Sequence, residues 1–251
     1  MYTAEQYVLW LFAYSIIGWV YETILCSVEQ KKFVNRGFLN GPYCPIYGFG
    51  AVLDIMILGR IKNPAALFLL GALLTCSLEY LTSYAMEKLF HARWWDYTKR
   101  KFNINGRVCL AGAVVFGLFT VVLIMFVQPR IYEFTNMLPP AALHTSVVVL
   151  LLIFAADLTV TLVYFTGFNR KLREISAFLE EKRASAELLR LDAAQKLRES
   201  AAYTHFSEAF SKKLNHQQRR MIKSFPHLKS VKYDNVLSGF HTLVEKLKYY
   251  K

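Results

Sequence analysis

The sequence predicts an all-α polytopic membrane protein with about five transmembrane helices, followed by a helical tail that faces water. The chain of 251 residues is 55% hydrophobic and only 19% charged, which is unusually apolar for a soluble domain of this length. Residues 168–251 carry 18 Lys and Arg against 9 Asp and Glu, a net charge of +9, whereas residues 1–167 carry 12 against 9, a net charge of +3. We therefore predict a transmembrane helical domain over residues 1–167 and a basic cytoplasmic helical tail over residues 168–251.

Five apolar stretches reach or approach the length of about 20 residues that a helix needs to cross the hydrocarbon core. The stretch over residues 1–6 has no basic region and no cleavage site follows it, so the first apolar stretch is expected to remain as a membrane span. Residues 128–144, which include Pro139 and Pro140, are predicted to form a connecting loop with a short surface helix. The five predicted spans are Tyr7–Val28, Pro45–Ile61, Pro64–Leu89, Val108–Val127 and Thr145–Phe165.

Basic residues in the short loops predict which side of the membrane each loop occupies. With five spans, nine Lys and Arg residues fall in the loops after the first and third spans, and three fall in the loops on the other side. These two loops and the tail are therefore expected in the cytoplasm, with the N-terminus outside.

The tail has apolar residues at helical spacing from Leu172 to about Ala202, which predicts an amphipathic helix and leaves open a short coiled-coil seam for self-association. Two further helical stretches are predicted on either side of Pro226, over about residues 206–224 and 233–249. The basic charge favours contact with an anionic lipid surface. Nucleic acid is not an expected partner, because the tail lacks the interleaved aromatic motif typical of RNA-binding domains.

The loops after the first and third spans resemble each other. Residues 40–44 and 105–109 both read N-G-x-x-C directly before an apolar stretch, and the same shift of 65 residues pairs Arg36 with Lys101. This pattern predicts a parallel repeat of two helical hairpins, a known arrangement in membrane transporters. Three matching positions in so short a window can also arise by chance.

Four carboxylic acids fall within the predicted spans at least one helical turn from either end: Glu22, Asp54, Glu79 and Asp157. A charged side chain at the bilayer centre costs roughly 2.5–3.5 kcal/mol on insertion scales, so these residues are candidates for function. They are expected to face a polar cavity, to be protonated or to pair with arginines of the loops. The alternative is that each carboxyl only forms hydrogen bonds between helices.

We expect the two hairpins to form one polar pocket that opens to the cytoplasm. The loop over residues 35–48 is dense in Gly, Pro, Asn and Tyr, and a rigid polar loop at membrane depth is expected to line a cavity, although an ordinary turn is the alternative. Residues 94–97, which read W-W-D-Y, fit an anchor at the membrane interface. No cofactor is predicted, and the cysteines have no metal-ligand spacing. The predicted substrate-binding residues are Glu22, Arg36, Asn40, Tyr43, Glu79, Asp96, Asn105 and Arg107.

These motifs closely resemble, in order, those of a bacterial family described as putative ABC-transporter type IV, or CmpB-like permeases. The resemblance covers roughly residues 7–120 and implies a multi-pass protein of the bacterial plasma membrane, whereas the tail beyond Phe168 lies outside it. The segments that carry it are G-W-V-Y-E-T at 18–23, N-R-G-F-L-N-G-P-Y-C-P-I-Y-G at 35–48, W-W-D-Y at 94–97 and N-G-R-V-C-L at 105–110.

The favoured interpretation is a permease-like protein that transports a small or lipid-like anionic substrate. The chain has no G-x-x-x-x-G-K-[S/T] phosphate loop, so transport driven by ATP would need a separate ATPase on the cytoplasmic face. Two other classes stay open. One is an integral-membrane enzyme for a lipid or lipid-linked substrate, with Glu22 or Glu79 as general base and Arg36 with Arg107 holding an anionic head group. The other is a non-catalytic scaffold whose tail recruits partners.

Overall fold

The structure is a computed structural model that describes residues 2–187, 214–225, 228–234 and 237. The chain divides into two compact units. Unit 1 comprises Met1–Ala85 and Asp96–Thr161, and unit 2 comprises Met86–Trp95 and Leu162–Lys251. The described residues are mostly helical, which confirms the prediction of an all-α protein. The domain boundary predicted between residues 167 and 168 stays a prediction.

The elements follow one another along the chain as long helices joined by short irregular segments. Two-residue strands form two antiparallel pairs, β1 with β4 and β2 with β3. The strands are β1 (Ala92–Arg93), β2 (Asn103–Ile104), β3 (Val108–Cys109) and β4 (Lys229–Ser230). The helices are α1 (Ala4–Gln30), α2 (Pro45–Leu58), α3 (Pro64–Phe90), α4 (Leu110–Val122), α5 (Gln128–Asn136), α6 (Pro140–Phe165), α7 (Phe168–Glu187) and α8 (His216–Ser224), with a π-helical turn, Leu123–Val127, between α4 and α5.

Among the described residues, four helical stretches are long and apolar enough to cross a membrane: Ala4–Gln30, Pro64–Phe90, Leu110–Asn136 and Pro140–Ala177. The second predicted span corresponds to α2, which has only 14 residues. Such a helix is about 21 Å long at 1.5 Å per residue, which is shorter than the hydrocarbon core of about 30 Å. The helix predicted over Pro45–Ile61 is therefore present as α2, but it is too short to cross the hydrocarbon core by itself.

Residues 31–44, which we call the re-entrant loop, run back along α1 before α2 begins. The Val34 N–H donates to the Ser27 hydroxyl at 3.0 Å, and the Cys44 N–H donates to the Ser15 carbonyl at 2.8 Å. Helix α2 thus begins beside the middle of α1. The re-entrant loop and α2 together retrace α1, so an irregular segment and a half-length helix take the place of the second predicted span.

Two glycines allow α1 and α2 to approach closely. A Cβ atom at Gly48 would collide with the Leu11 carbonyl and the Ser15 hydroxyl, and a Cβ atom at Gly18 would collide with the Tyr47 ring. Both glycines belong to motifs singled out in the sequence. The two motifs therefore meet because each supplies a position without a side chain where the helices contact.

The segment predicted as a connecting loop with a short helix, residues 128–144, does contain a short helix, α5, but α5 continues directly from the helix that begins at Leu110. Two polar side chains of α5 are buried against α1. Gln128 accepts a hydrogen bond of 2.6 Å from the Tyr14 hydroxyl, and Thr135 accepts one of 3.2 Å from the Trp10 indole. These polar side chains of α5 thus find their partners far away in the sequence.

Aromatic side chains pack together in the described part of unit 2. The Trp94 side chain is only 2% exposed, and its ring contacts those of Phe90, Phe165 and Phe225. The Phe168 ring stacks on Phe165 with 4.7 Å between centroids. Trp94 is therefore a core residue of this unit, and the expectation that it anchors the chain at the membrane interface is wrong for this residue.

The described tail contains part of the predicted helices. Helix α7 covers the first part of the amphipathic helix, with Leu172 and Ile175 buried as its spacing predicts. Helix α8 lies within the second predicted stretch. The remainder of both stretches, and most of the third, lie outside the described residues.

Candidate functional site

Polar side chains of unit 1 form three groups, each of which contains predicted site residues. We name them by a central member. The glutamate cluster contains Glu22, Arg36, Tyr47, Glu79 and Tyr97; the Asp157 cluster contains Asn40, Gly41, Tyr43, Asp157 and Thr161; the Arg107 cluster contains Tyr80, Ser83, Tyr84, Asn105 and Arg107.

Within the glutamate cluster, Glu22 is paired on both carboxyl oxygens. The Arg36 Nε atom of the re-entrant loop lies 3.4 Å from Glu22 Oε2, and the two side chains are 15% and 22% exposed. The Tyr47 hydroxyl of α2 donates to Glu22 Oε1 at 2.6 Å. An arginine and a short hydrogen bond together compensate the charge of this partly buried carboxylate, and these two contacts join α1, the re-entrant loop and α2.

Glu79 of α3 is more buried and has fewer partners than Glu22. It is 6% exposed, and the Tyr97 hydroxyl lies 3.3 Å from its Oε1 atom. Its Oε2 atom has no hydrogen-bond partner among the residues that the structure describes. Burial and the nearby carboxyls of Glu79 and Glu22 raise the pKa of Tyr97. Tyr97, in the loop between α3 and α4, is therefore within electrostatic reach of both glutamates.

The Asp157 cluster attaches the re-entrant loop to α6. Asp157 Oδ1 accepts hydrogen bonds from the backbone N–H and the side-chain amide of Asn40, at 3.0 and 2.8 Å. Its Oδ2 atom accepts bonds from the Gly41 N–H at 2.8 Å and the Tyr43 hydroxyl at 2.6 Å, and the Thr161 hydroxyl lies 3.2 Å from Oδ1. The carboxylate thus satisfies donors that the non-helical backbone leaves free.

The Arg107 cluster lies against α3. Arg107 is 6% exposed, and its guanidinium donates to the Ser83 hydroxyl at 3.2 Å. The guanidinium carbon lies 5.7 Å from the Tyr80 ring centroid and 5.4 Å from that of Tyr84, distances typical of cation–π contacts. The Asn105 amide donates to the Tyr80 hydroxyl at 2.9 Å. Tyr80 and Tyr84 therefore contact the first and the last residue of the N-G-R turn, Asn105 and Arg107.

Asp96 shapes the same loop. Its carboxyl accepts hydrogen bonds of 3.0 Å from the backbone N–H and from the hydroxyl of Thr98. Gly106 has a φ of 67°, in the left-handed region that favours glycine, and a Cβ atom there would lie against the Asp96 carboxyl and the Thr98 side chain. Asp96 and Gly106 therefore pack together across the loop.

The structure places Glu22 and Glu79 within electrostatic reach of Tyr97 and pairs Arg36 with Glu22, whereas Asn40 and Tyr43 bind Asp157. Asp157 was recognised as an acid within a span, but its partners could not be identified from the sequence. Tyr47 and Tyr97 were missed as site residues although both lie in the quoted motifs. Their place in these motifs was the signal that could have found them, but choosing between neighbouring tyrosines requires knowing which way each ring points.

The sequence matches the model of the family described as Putative ABC-transporter type IV over residues 9–162. Comparison with curated proteins and comparison with solved structures each gave no match. The matched region includes α1 to most of α6, and therefore all three clusters, while the tail lies beyond it. The apolar helices agree with a multi-pass membrane protein. The chain belongs to the Putative ABC-transporter type IV family.

Proposed function

We propose that the protein is the permease-like component of a transport system and that unit 1 binds a small or lipid-like anionic substrate. The observation that carries this proposal is the re-entrant loop, which is non-helical yet lies beside α1 as far as Ser15. Irregular backbone at membrane depth is tolerated where it is buried in protein or lines a water-filled cavity. Interrupted membrane segments are also where many transporters bind their substrates.

The proposed preference for an anion comes from two arginines. Arg36 and Arg107 are largely buried in unit 1, and a guanidinium can hold a carboxylate or phosphate through two parallel hydrogen bonds. An incoming anion would compete with Glu22 for Arg36. The residues proposed to bind the substrate are Glu22, Arg36, Asn40, Tyr43, Glu79, Asp96, Asn105 and Arg107.

The proposed arrangement has a separate ATPase on the cytoplasmic side of the bacterial inner membrane. The loops after α1 and α3 and the basic tail face that side, the N-terminus faces outside, and the tail rests on anionic lipid or self-associates. Single cysteines placed at Arg100 and at Lys62, in a variant without native cysteines, should label from opposite faces of the membrane. Labelling of position 100 from outside would exclude this orientation.

Alternating access provides the test of transport. A single cysteine at Asn40, an exposed position of the re-entrant loop, should react with a membrane-impermeant maleimide from either face of vesicles as the site opens to each side. A cysteine at Leu152, which is 66% exposed on α6 and expected to face lipid, is the matched control and should not react. Reaction at position 40 from one face alone, under all conditions, would contradict transport.

A second candidate function, an integral-membrane enzyme, is favoured by one observation. The Glu79 Oε2 atom is buried and accepts no hydrogen bond from the described residues, so it could accept a proton from a substrate hydroxyl. Incubation of the purified protein with a total lipid extract, followed by mass spectrometry, separates the two functions. A lipid product that forms with wild type and not with Glu79→Gln would favour the enzyme.

A further inference from the structure

Tyrosine–carboxyl pairs in unit 1 differ in their geometry. An O–H···O⁻ bond to an ionised carboxylate is usually about 2.5–2.7 Å long. Two of the pairs match that length and the third does not. The hydroxyl-to-carboxyl distance is 2.6 Å for Tyr47–Glu22, 2.6 Å for Tyr43–Asp157 and 3.3 Å for Tyr97–Glu79.

The other partners of each carboxyl follow the same division. Glu22 has the Arg36 guanidinium, and Asp157 has two backbone N–H groups and a side-chain amide. Glu79 is 6% exposed. The Tyr97 hydroxyl lies 3.3 Å from its Oε1 atom, and no described residue forms a hydrogen bond with its Oε2 atom. Because an unpaired buried carboxylate is costly, Glu79 is the carboxyl of this cluster that carries a proton.

The ionisable groups that face Glu79 strengthen this conclusion. Tyr97 approaches it from the α3–α4 loop, Glu22 acts on it electrostatically from α1, and Cys76 is one turn away on α3. Arg36 pairs with Glu22, and a single guanidinium balances only one carboxylate. Ionised Glu79 would add a second negative charge near Glu22, which opposes its ionisation.

Asp54 provides a comparison within the same unit. It is 2% exposed and lies 2.6 Å from the Thr120 hydroxyl, which is also 3.1 Å from the Phe116 carbonyl. Thr120 donates to Asp54 Oδ2, and the Asp54 Oδ1 atom has no hydrogen-bond partner among the described residues. Asp54 is fully enclosed, whereas Glu79 adjoins the partly exposed Tyr97.

We propose that Glu79 is a proton-binding site that exchanges its proton with water on the side of Tyr97. Uptake converts the carboxylate to a carboxylic acid and consumes one solvent proton, and release reverses the step. Ionised Glu79 would place a second negative charge beside the Arg36–Glu22 pair and oppose the binding of an anion. An anionic substrate therefore binds together with a proton. This coupling of substrate and proton binding rests on the proposed function.

Dicyclohexylcarbodiimide tests the proton site without any substrate. This apolar reagent reacts with protonated carboxyl groups in membranes: the acid adds across a C=N bond and rearranges to a stable N-acylurea. The full-length protein in lipid nanodiscs is treated between about pH 5 and pH 9, a range in which a perturbed carboxyl titrates, and labelled peptides are mapped by mass spectrometry. We expect labelling of Glu79 that falls as the pH rises, and no labelling of Glu22 or Asp157.

Matched variants complete the experiment. Glu79→Gln should lose the pH-dependent label, Glu79→Asp should keep a label with a different pH dependence, and Asp54→Asn should leave labelling of Glu79 unchanged. If Glu79→Gln does not fold, the mapping of the wild-type protein decides alone. Absence of label at Glu79 at every pH, or labelling that does not depend on pH, would overturn the proposal. This result is independent of the cysteine test of transport, so the two proposals can fail separately.

Discussion

Two helical hairpins share the motif N-G-x-x-C, but different hydrogen bonds support their loops. Hairpin one consists of α1, the re-entrant loop and α2, and hairpin two consists of α3, its loop and α4. In both, the cysteine of N-G-x-x-C (Cys44 or Cys109) immediately precedes the second helix and has an extended backbone. Helix α2 then ends after 14 residues, whereas the helix after Cys109 continues to Asn136.

The loops differ in where their hydrogen bonds go. In hairpin two, β2 pairs with β3 around a turn in which Asn105 and Gly106 both have positive φ, 52° and 67°. In hairpin one, the loop lies along α1 and takes its partners from α1 and from Asp157 of α6. Local bonds therefore support the second loop, while the first depends on residues far away in the sequence.

The glutamates of the two hairpins, Glu22 and Glu79, also differ in their partners. Glu22 of hairpin one has an arginine and a short tyrosine bond, while Glu79 of hairpin two has one long tyrosine contact and an oxygen without a described partner. The comparison teaches that two loops with a shared motif can give the nearby glutamates very different partners, because those partners come from outside the motif.

The largest effect is expected from Asp157→Ala, which removes the partner of the re-entrant loop. The backbone N–H groups of Asn40 and Gly41 and the Tyr43 hydroxyl would lose their acceptor. We expect the free energy of unfolding to fall by about 3 kcal/mol, as for several hydrogen bonds to a charged group in a partly exposed place, measured by SDS titration of the protein in micelles. Thr159→Ala, on an exposed face of α6, is the control, and equal stability of both variants would contradict the role of Asp157.

The next effect concerns the contact between α1 and α2. Gly48→Ala would place a methyl group against the Leu11 carbonyl, whereas a Cβ atom at Gly50, in the same helix, meets nothing nearer than 3.7 Å. We expect Gly48→Ala to lower the free energy of unfolding by about 1–3 kcal/mol and Gly50→Ala to leave it unchanged or raise it slightly. Thermal unfolding in micelles compares the two variants. An equal loss of stability in both would mean that α1 and α2 do not pack closely at Gly48.

A parallel pair of substitutions examines hairpin two. A Cβ atom at Gly117 would collide with Phe68, including its carbonyl oxygen, while one at Gly112 would meet only the Cys109 sulfur at 3.8 Å. Gly117→Ala is therefore expected to destabilise the protein by about 1–2 kcal/mol, and Gly112→Ala is not. If Gly117→Ala is tolerated while Gly48→Ala is not, the two hairpins differ in packing as well as in charge.

The smallest difference between two variants is expected for the two glutamates. Glu22→Gln removes the counter-charge of the largely buried Arg36 and should cost about 2 kcal/mol of stability. Glu79→Gln replaces a carboxyl that we infer to be neutral with a neutral amide of the same shape, so its cost should stay below about 1 kcal/mol. The free energies of unfolding of the two variants are measured in parallel. If Glu79→Gln were the less stable variant, Glu79 and not Glu22 would be the charged carboxyl.

The sequence by itself determined the fold class, the approximate place of the helices and the motifs around which the site forms. Apolar length and the helical period are local properties, so Ala4–Gln30 and Pro64–Phe90 were both predicted nearly in full. Only the tertiary structure decided that α2 begins beside the middle of α1, that residues 128–136 continue the helix that begins at Leu110, and that Asn40 binds Asp157, 117 positions away. Contacts between segments distant in the chain leave no periodic trace in the sequence.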